Sequence, residues 1–236
     1  MRSFAARSLE TELMDGADVA PDDFAACMAD LAKANTITLA RPHTIAWLAR
    51  ATRDLGPGQG FSLLDVGYGY GDMLRVIHRW ATRLGLKPHL HGIDLNPRSE
   101  PAARAATPPS ISIDYRTGDA FAPAAVPPID FIVSSLVTHH MADAEIVKFL
   151  RWMDATAAKG WFINDLHRHW LPFYGFTAIS SLFGWHRFVR HDGPVSVARA
   201  FRRADWDRLL SDAHISAEGL TVRWRFPFRI CVGRIK

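Results

Sequence analysis

The sequence predicts an open α/β sheet of seven strands, mostly parallel, ending in an antiparallel edge hairpin and covered by helices on both faces. Three observations carry that expectation. From Phe61 onward, short apolar runs alternate with segments whose apolar positions recur at helical spacing. Most of these runs are apolar at successive positions rather than at alternate ones, which marks strands buried on both faces between two helical layers. The first run also ends in LLDVGYGYGD (63 to 72), with three glycines spaced two apart, where such a sheet turns from its first strand into its first helix.

Taken in order, residues 1 to 55 read as an N-terminal helical cap. Pro21, Asp22 and Asp23 form a helix start, with Phe24, Met28 and Leu31 at helical spacing behind them. A second helix follows Arg41-Pro42, carries Ile45, Leu48 and Ala49 on one face, and ends near Gly56-Pro57-Gly58. The sheet-forming core is residues 56 to 236. FSLLDVG (61 to 67) is its first strand, and Met73, Leu74, Val76, Ile77 and Trp80 mark the amphipathic helix after it. HLHGIDL (89 to 95), SISIDY (110 to 115) and IDFIVSSLV (129 to 137) are the next three strands, with a short alanine-rich helix over 98 to 106. Ile146, Phe149, Leu150 and Met153 define a helix from about 142 to 157, and WFIND (161 to 165) is the fifth strand. Residues 166 to 195 read as an irregular, apolar insert. A helix from Ala204 to Ala213 and the two strands TVRWRF and RICVGRI complete a Rossmann-like sheet.

Composition narrows the function classes. At 236 residues, 48% hydrophobic and 22% charged, the chain suits one large folded domain. The net charge of +4 comes mainly from arginine. A nucleic-acid reader would gather its basic residues into one patch. Those after Arg187 do thicken (Arg190, Arg199, Arg202, Arg203, Arg208), but Asp192, Asp205, Asp207 and Asp212 interleave. Cys27 and Cys231 have neither CxxC spacing nor a disulfide pattern, so reduced thiols in a cytoplasm are expected. The N-terminus carries acids and lacks the apolar segment of a signal peptide. No apolar stretch reaches the ~18–20 residues needed to cross a bilayer. The longest, WLPFYGFTAISSLFGW (170 to 185), contains Pro172, Gly175 and Gly184.

The glycine turn decides what kind of nucleotide such a sheet would hold. A dinucleotide fingerprint, G-x-G-x-x-G, needs its third glycine at position 72, which is Asp72. A carboxylate there would oppose a pyrophosphate at the helix N-terminus. S-adenosylmethionine has no phosphate, and its methionine end and sulfonium are cationic, so Asp65 and Asp72 favour it. The glycines let the backbone approach the sugar and amino-acid moieties. Asp94, 23 residues beyond Gly71, ends the second strand and suits a ribose diol. Asp119 follows the third strand and suits an adenine amino group, with Ala120 and Phe121 as an apolar wall. Each acid alone also reads as a helix cap or turn residue; together, at successive strand ends, they read as one site.

In register, these stretches resemble the class I S-adenosylmethionine-dependent methyltransferases over roughly residues 40 to 235. DVGYGYG is similar to their first motif, GIDLNP to their ribose acid and GDAF to their adenine turn. SSLVTHHM resembles the motif after the fourth strand in the ubiquinone- and menaquinone-biosynthesis-like branch. The resemblance implies S-adenosylmethionine as donor and S-adenosylhomocysteine as product. It gives cofactor-binding roles to Asp65, Gly67, Tyr68, Gly69, Gly71, Asp94, Leu95, Asp119, Ala120 and Ser134 or Ser135. Arg41 resembles a basic residue that some members use on the donor's carboxylate. NDLHRHWLPFYGF and FVRHDGPVSVARAF are similar to bacterial methyltransferases of phenolic-lipid and polyketide pathways. The aromatic Tyr68 and Tyr70 depart from the family pattern, and one of them is expected to face the cleft.

Methyl transfer needs an acceptor held in line and, for an oxygen or acidic carbon, relieved of a proton. Histidine suits that task near neutral pH. Of 11 histidines, His139 and His140 follow the fourth strand, and His167 and His169 the fifth. We expect His140, then His167, as base, with His139 and Asp165 as further catalytic candidates; each also reads as an ordinary capping or loop residue. Metal-dependent catechol-type methyltransferases build their sites mainly from acids and amides, so no metal is expected. The insert, rich in Trp170, Leu171, Phe173, Tyr174, Phe176 and Trp185, reads as a core helix, an acceptor wall or a membrane-touching segment. The expected partner is a hydrophobic or aromatic small molecule. Alternatives are an RNA methyltransferase and a catalytically silent binding protein of the same fold.

Overall fold

The computed structural model describes residues 3–16, 19–122 and 128–236. Two helices precede the sheet: α1 (Pro21–Ile37), opened by its proline, and α2 (Ala40–Ala51), joined to it through Leu39 in the left-handed region. α2 is part of the core. Its Trp47 stacks on Phe162 at 5.2 Å and meets Phe131 edge-on at 5.9 Å.

The sheet is built from β1 (Gly60–Val66), β2 (Lys87–Asp94), β3 (Asp114–Thr117), β4 (Ile129–Ser135), β5 (Ala157–Leu166), β6 (Leu220–Arg225) and β7 (Arg229–Ile235). Their spatial order is β3-β2-β1-β4-β5-β7-β6. The first five pair in parallel, and β7 runs antiparallel to both β5 and β6. The connecting helices are α3 (Asp72–Arg83), α4 (Ser99–Ala105), α5 (Asp143–Thr156), α6 (Trp170–Leu182), α7 (Arg187–Arg199) and α8 (Arg203–Asp212). Side-chain alternation splits the core in two. Leu63, Phe131, Val133 and Phe162 face α2 and α3, while Leu64, Ile132, Ile163 and Val232 face α5 and α8.

Two expectations change. The third strand is shorter and later than 110 to 115, because Pro108 starts a turn in which Ile111 N–H donates to the Pro108 carbonyl at 2.9 Å. The insert is not irregular: it forms most of α6 and α7. Pro172 sits in the first turn of α6, where a helix has no internal partner for the backbone N–H. Gly193, within α7, allows close helix contact, since a Cβ there would lie 2.0 Å from the Phe176 ring. Among the described residues no helix is long and apolar enough to cross a membrane.

Candidate functional site

The carboxyl ends of β1, β2 and β4 open on a cavity of about 440 Å³, roofed by α1, α7 and the N-terminal residues before α1. Its floor starts in the glycine turn. Gly67, Gly69 and Gly71 all have positive φ (74°, 51° and 68°), a conformation that costs other residues a Cβ clash. Gly67 also lets the turn after β4 approach, since a Cβ would lie 2.3 Å from Val137 Cγ2. Gly67 and Gly69 line the cavity, but Gly71 does not. It caps α3 against Tyr115, whose Oη would lie 2.4 Å from a Cβ.

The expected donor residues separate in the same way. Asp65, near the end of β1, lines the cavity at 2% exposure. Burial, reinforced by Asp72 and Asp94, pushes its carboxyl well above the usual range. Asp94 ends β2 and ties down the turn: Oδ2 accepts from Gly69 N–H and Oδ1 from Asn96 N–H, both at 2.9 Å. Asp119 Oδ1 accepts from Phe121 N–H at 2.9 Å. Asp119, Ala120 and the exposed Leu95 complete that end of the cavity. Ser135 lines it, and its Oγ has no hydrogen-bond partner among the described residues. Ser134 points into the sheet instead, donating to the Val66 carbonyl at 3.0 Å. Arg41 lines the cavity in a pair with Asp72, the residue that fills the missing glycine's place.

Both tyrosines of the turn line the cavity. Tyr68 is largely buried, its ring 4.9 Å from that of Tyr115, and burial raises its phenol. Arg75 Nη1 donates to the Tyr70 carbonyl at 2.7 Å, with the guanidinium 5.2 Å from the Tyr70 ring.

The same cavity is also lined by a histidine corner. The 3-10 turn Thr138–His140 follows β4 and is fixed from below by Asp165 of β5. Asp165 Oδ1 lies 2.7 Å from His139 Nδ1, while Oδ2 accepts from Thr138 Oγ1 at 2.5 Å and His139 N–H at 3.1 Å. Burial would raise this carboxyl, but the adjoining His139 ring and those hydrogen bonds hold it at about 2. From above, Arg7 and Arg199 each donate to the His139 carbonyl at 3.1 Å.

Sequence reasoning missed the third member. Glu12, from the N-terminal strap, is 5% exposed and enters the corner. Its Oε1 lies 3.7 Å from His139 Nε2 and its Oε2 3.8 Å from His140 Nε2. Asp192 of α7 anchors the strap by accepting from Leu13 and Met14 N–H at 2.8 and 2.9 Å. No local pattern signals Glu12; only long-range packing brings it there. Arg229 of β7 was also missed. It is 1% exposed in the cavity wall, its Nη2 donates to Thr38 Oγ1 at 3.0 Å, and burial lowers its guanidinium to about 10.

His167 is not part of this site. It lies beyond β5 against the C-terminal hairpin, where Trp224 Nε1 donates to its Nδ1 at 3.2 Å and Phe228 stacks on its ring. His169 shares that stack and caps α6. Phe176 brings the insert to the cavity, whereas Trp170, Leu171 and Tyr174 on α6 remain exposed.

A family model described as a methyltransferase domain matches residues 37–217. Among solved structures, the chain is similar to the plantazolicin methyltransferase BpumL in complex with a pentazolic desmethylPZN analog and SAH. The TM-score is 0.59 at 15% identity, covering 92% of this chain and 96% of that one. It is similar, with a TM-score of 0.54 at 14% identity, to magnesium protoporphyrin IX methyltransferase from Synechocystis PCC 6803 with bound SAH. That match covers 84% of this chain and 82% of the other. At these identities the likeness is one of fold. No curated protein matches the chain at a significant level.

Proposed function

The chain belongs to the methyltransferase-domain family, and on that premise we propose that it transfers a methyl group from S-adenosylmethionine to a hydrophobic or aromatic small molecule. The observation that carries this reading is that Asp65, Asp94 and Asp119, from the ends of three successive strands, line one cavity. In this reading Asp65 faces the donor's cationic methionine end, Asp94 its ribose hydroxyls and Asp119 its adenine amino group. Leu95 and Ala120 flank the base, Gly67 and Gly69 admit the chain, Arg41 meets the carboxylate and Ser135 lies near the methyl. The expected cap of residues 1–55 narrows to the residues before α2, because α2 packs its Trp47 and Leu48 into the core, and the insert helices over 166–195 form part of the acceptor wall.

Phe24, Met28, Leu31, Phe176 and Val189 line the rest of the cavity and support an apolar acceptor. Transfer is an in-line displacement. The acceptor's lone pair forms the bond to the methyl carbon, the C–S pair returns to sulfur, and an O- or C-acceptor loses its proton. We assign the loss of that proton to the Glu12–His139–His140 corner. His140, whose side chain is 31% exposed, is the member that reaches the acceptor, and Asp165 positions His139.

Calorimetry with S-adenosylhomocysteine tests the donor site. Binding at about micromolar strength is expected, and its absence in folded protein would remove the reading. Transfer of labelled methyl into an organic-extractable compound, rather than into RNA, tests the acceptor class.

A further inference from the structure

We infer that Glu12, His139 and His140 form a binding site for a divalent transition-metal ion, with zinc as its simplest occupant. Glu12 Oε1 lies 3.7 Å from His139 Nε2 and Glu12 Oε2 3.8 Å from His140 Nε2, and one ligand atom from each of the three residues lies within 4.8 Å of the others. Separations of 3.7 and 3.8 Å are too long for hydrogen bonds. They are close to the ~3.4 Å between two ligand atoms that share a tetrahedral zinc at its usual bond lengths. Within 4.8 Å of one another before any ion binds, the three ligand atoms close the set by drawing in to that spacing.

The surroundings are those of a metal centre. A ligating histidine characteristically gives its other ring nitrogen to a carboxylate, which fixes the tautomer and aims the free lone pair at the ion. His139 Nδ1 does so to Asp165 at 2.7 Å, and Asp165 is held in turn by Thr138 and Leu166. Ser196 Oγ donates to Glu12 Oε1 at 2.8 Å and orients the carboxylate. Two histidines and one glutamate are the donor set of an open catalytic zinc site, which keeps a position for an exogenous ligand. All three residues line the cavity, so that position faces it.

What the ion does there rests on the proposed methyl transfer; whether it binds does not. An acceptor hydroxyl in the open position would release its proton to water more readily than a free hydroxyl. Its oxygen would then attack the donor methyl as the C–S bond breaks, the bonding pair returning to sulfur. His140 would act through the ion rather than as the base itself. The ion would also pin the strap that carries Glu12 over the acceptor end.

The test uses the full chain, freed of any affinity tag, stripped with chelator and titrated with zinc chloride in a calorimeter. One ion per chain is expected, with affinity lowered about 10- to 100-fold by His140→Ala and by Asp165→Asn and lowered strongly by Glu12→Gln. Cobalt loading should give visible absorption bands of a low-coordinate ion, and these should vanish in Glu12→Gln. Circular dichroism and S-adenosylhomocysteine binding confirm that each variant is folded; His140→Ala, at a partly exposed position, serves if Glu12→Gln is not. Substoichiometric zinc, or equal affinity in the wild type and a folded His140→Ala, overturns the site. Zinc binding without S-adenosylhomocysteine binding upholds the site and overturns the transfer reading instead.

Discussion

Arg41 Nε donates to Asp72 Oδ2 at 2.7 Å, joining the start of α2 to the start of α3 across the wall of the cavity. The pair cancels the charge of the acid that stands where a dinucleotide site would have its third glycine. Arg41 is fixed further by Nη1 to Thr36 Oγ1 and Nη2 to the Ala32 carbonyl, each at 2.7 Å. Arg41→Ala would leave Asp72 unpaired beside Asp65. We expect S-adenosylhomocysteine affinity to fall about tenfold, ~1.4 kcal/mol. Lysine restores the charge but not the fork geometry, so Arg41→Lys should recover only part of it. Calorimetric affinities of both variants within twofold of wild type would contradict this role.

Buried Asp65 carries a pH-dependent cost in stability. Its folded pKa is raised, chiefly by burial, so ionising it costs the folded state more than the unfolded one. That cost is absent below about pH 4 and grows as pH rises toward the folded value. Asp65→Asn should therefore raise the melting temperature of the ligand-free protein by a few degrees, roughly 1 kcal/mol. The gain should be larger at pH 8 than at pH 5, while S-adenosylhomocysteine binding weakens. Melting curves at the two pH values decide it, and a gain independent of pH would refute the buried-charge account.

The donor half of the site was legible because each element is short and local. Asp65, Asp94 and Asp119 are each attached to a strand end that hydrophobic patterning reveals. Alternation along the chain also explains where single-residue choices failed. Ser134 and Ser135 point to opposite faces, and nothing within SSLV says which face holds the cavity. His167 follows β5 closely, yet it turns toward a hairpin contributed by residues 220 to 235. Glu12 was invisible for a different reason: Asp192 and Ser196 of α7 place it, and their contacts are long-range. The insert was misread because Pro172, Gly175 and Gly184 look like breakers, though Pro172 opens α6, Gly175 lies inside it and only Gly184 falls between α6 and α7.

The three glycines of the turn should not behave alike. Gly71→Ala meets both a φ of 68° and the Tyr115 hydroxyl, but the residue does not line the cavity. It should cost about 1–3 kcal/mol of stability while leaving S-adenosylhomocysteine affinity of the folded protein within about twofold. Tyr115→Phe, which removes the clashing oxygen, should recover part of the loss. Gly67→Ala lines the cavity and meets Val137, so it should lose both stability and affinity. Denaturant titration and calorimetry on the four proteins separate the two behaviours.

Both cysteines should be inert. Burial, with nearby acids adding to it, raises the Cys27 thiol to about 12; burial also raises Cys231 to about 12, against a partial opposing pull from Arg229. The thiolate is the reactive form, and it is scarce for both at pH 8. A disulfide reagent should therefore react with the native protein only as fast as it unfolds, and with both thiols at once in denaturant. Rapid stoichiometric labelling of the native protein would show that one thiol is accessible.

The N-terminal strap closes over the histidine corner. Arg7 donates to the His139 and Met141 carbonyls at 3.1 and 2.9 Å and pairs with Asp143 at 2.6 Å, and Arg199 reaches back to the Glu10 carbonyl at 2.7 Å. These bonds hold Glu12 and Met14 against the cavity. Deleting residues 1–16 should lower the melting temperature, because Asp192, Asp143 and the His139 carbonyl each lose a partner. S-adenosylhomocysteine affinity should stay within about threefold, since Asp65 and Asp94 belong to the sheet and Asp119 to the turn after β3. Methyl transfer should fall by about 100-fold or more, because the histidine corner loses its carboxylate and opens to water. A truncated protein that keeps full transfer would place the acceptor elsewhere in the cavity. One that loses S-adenosylhomocysteine binding while still folded would make the strap part of the donor site.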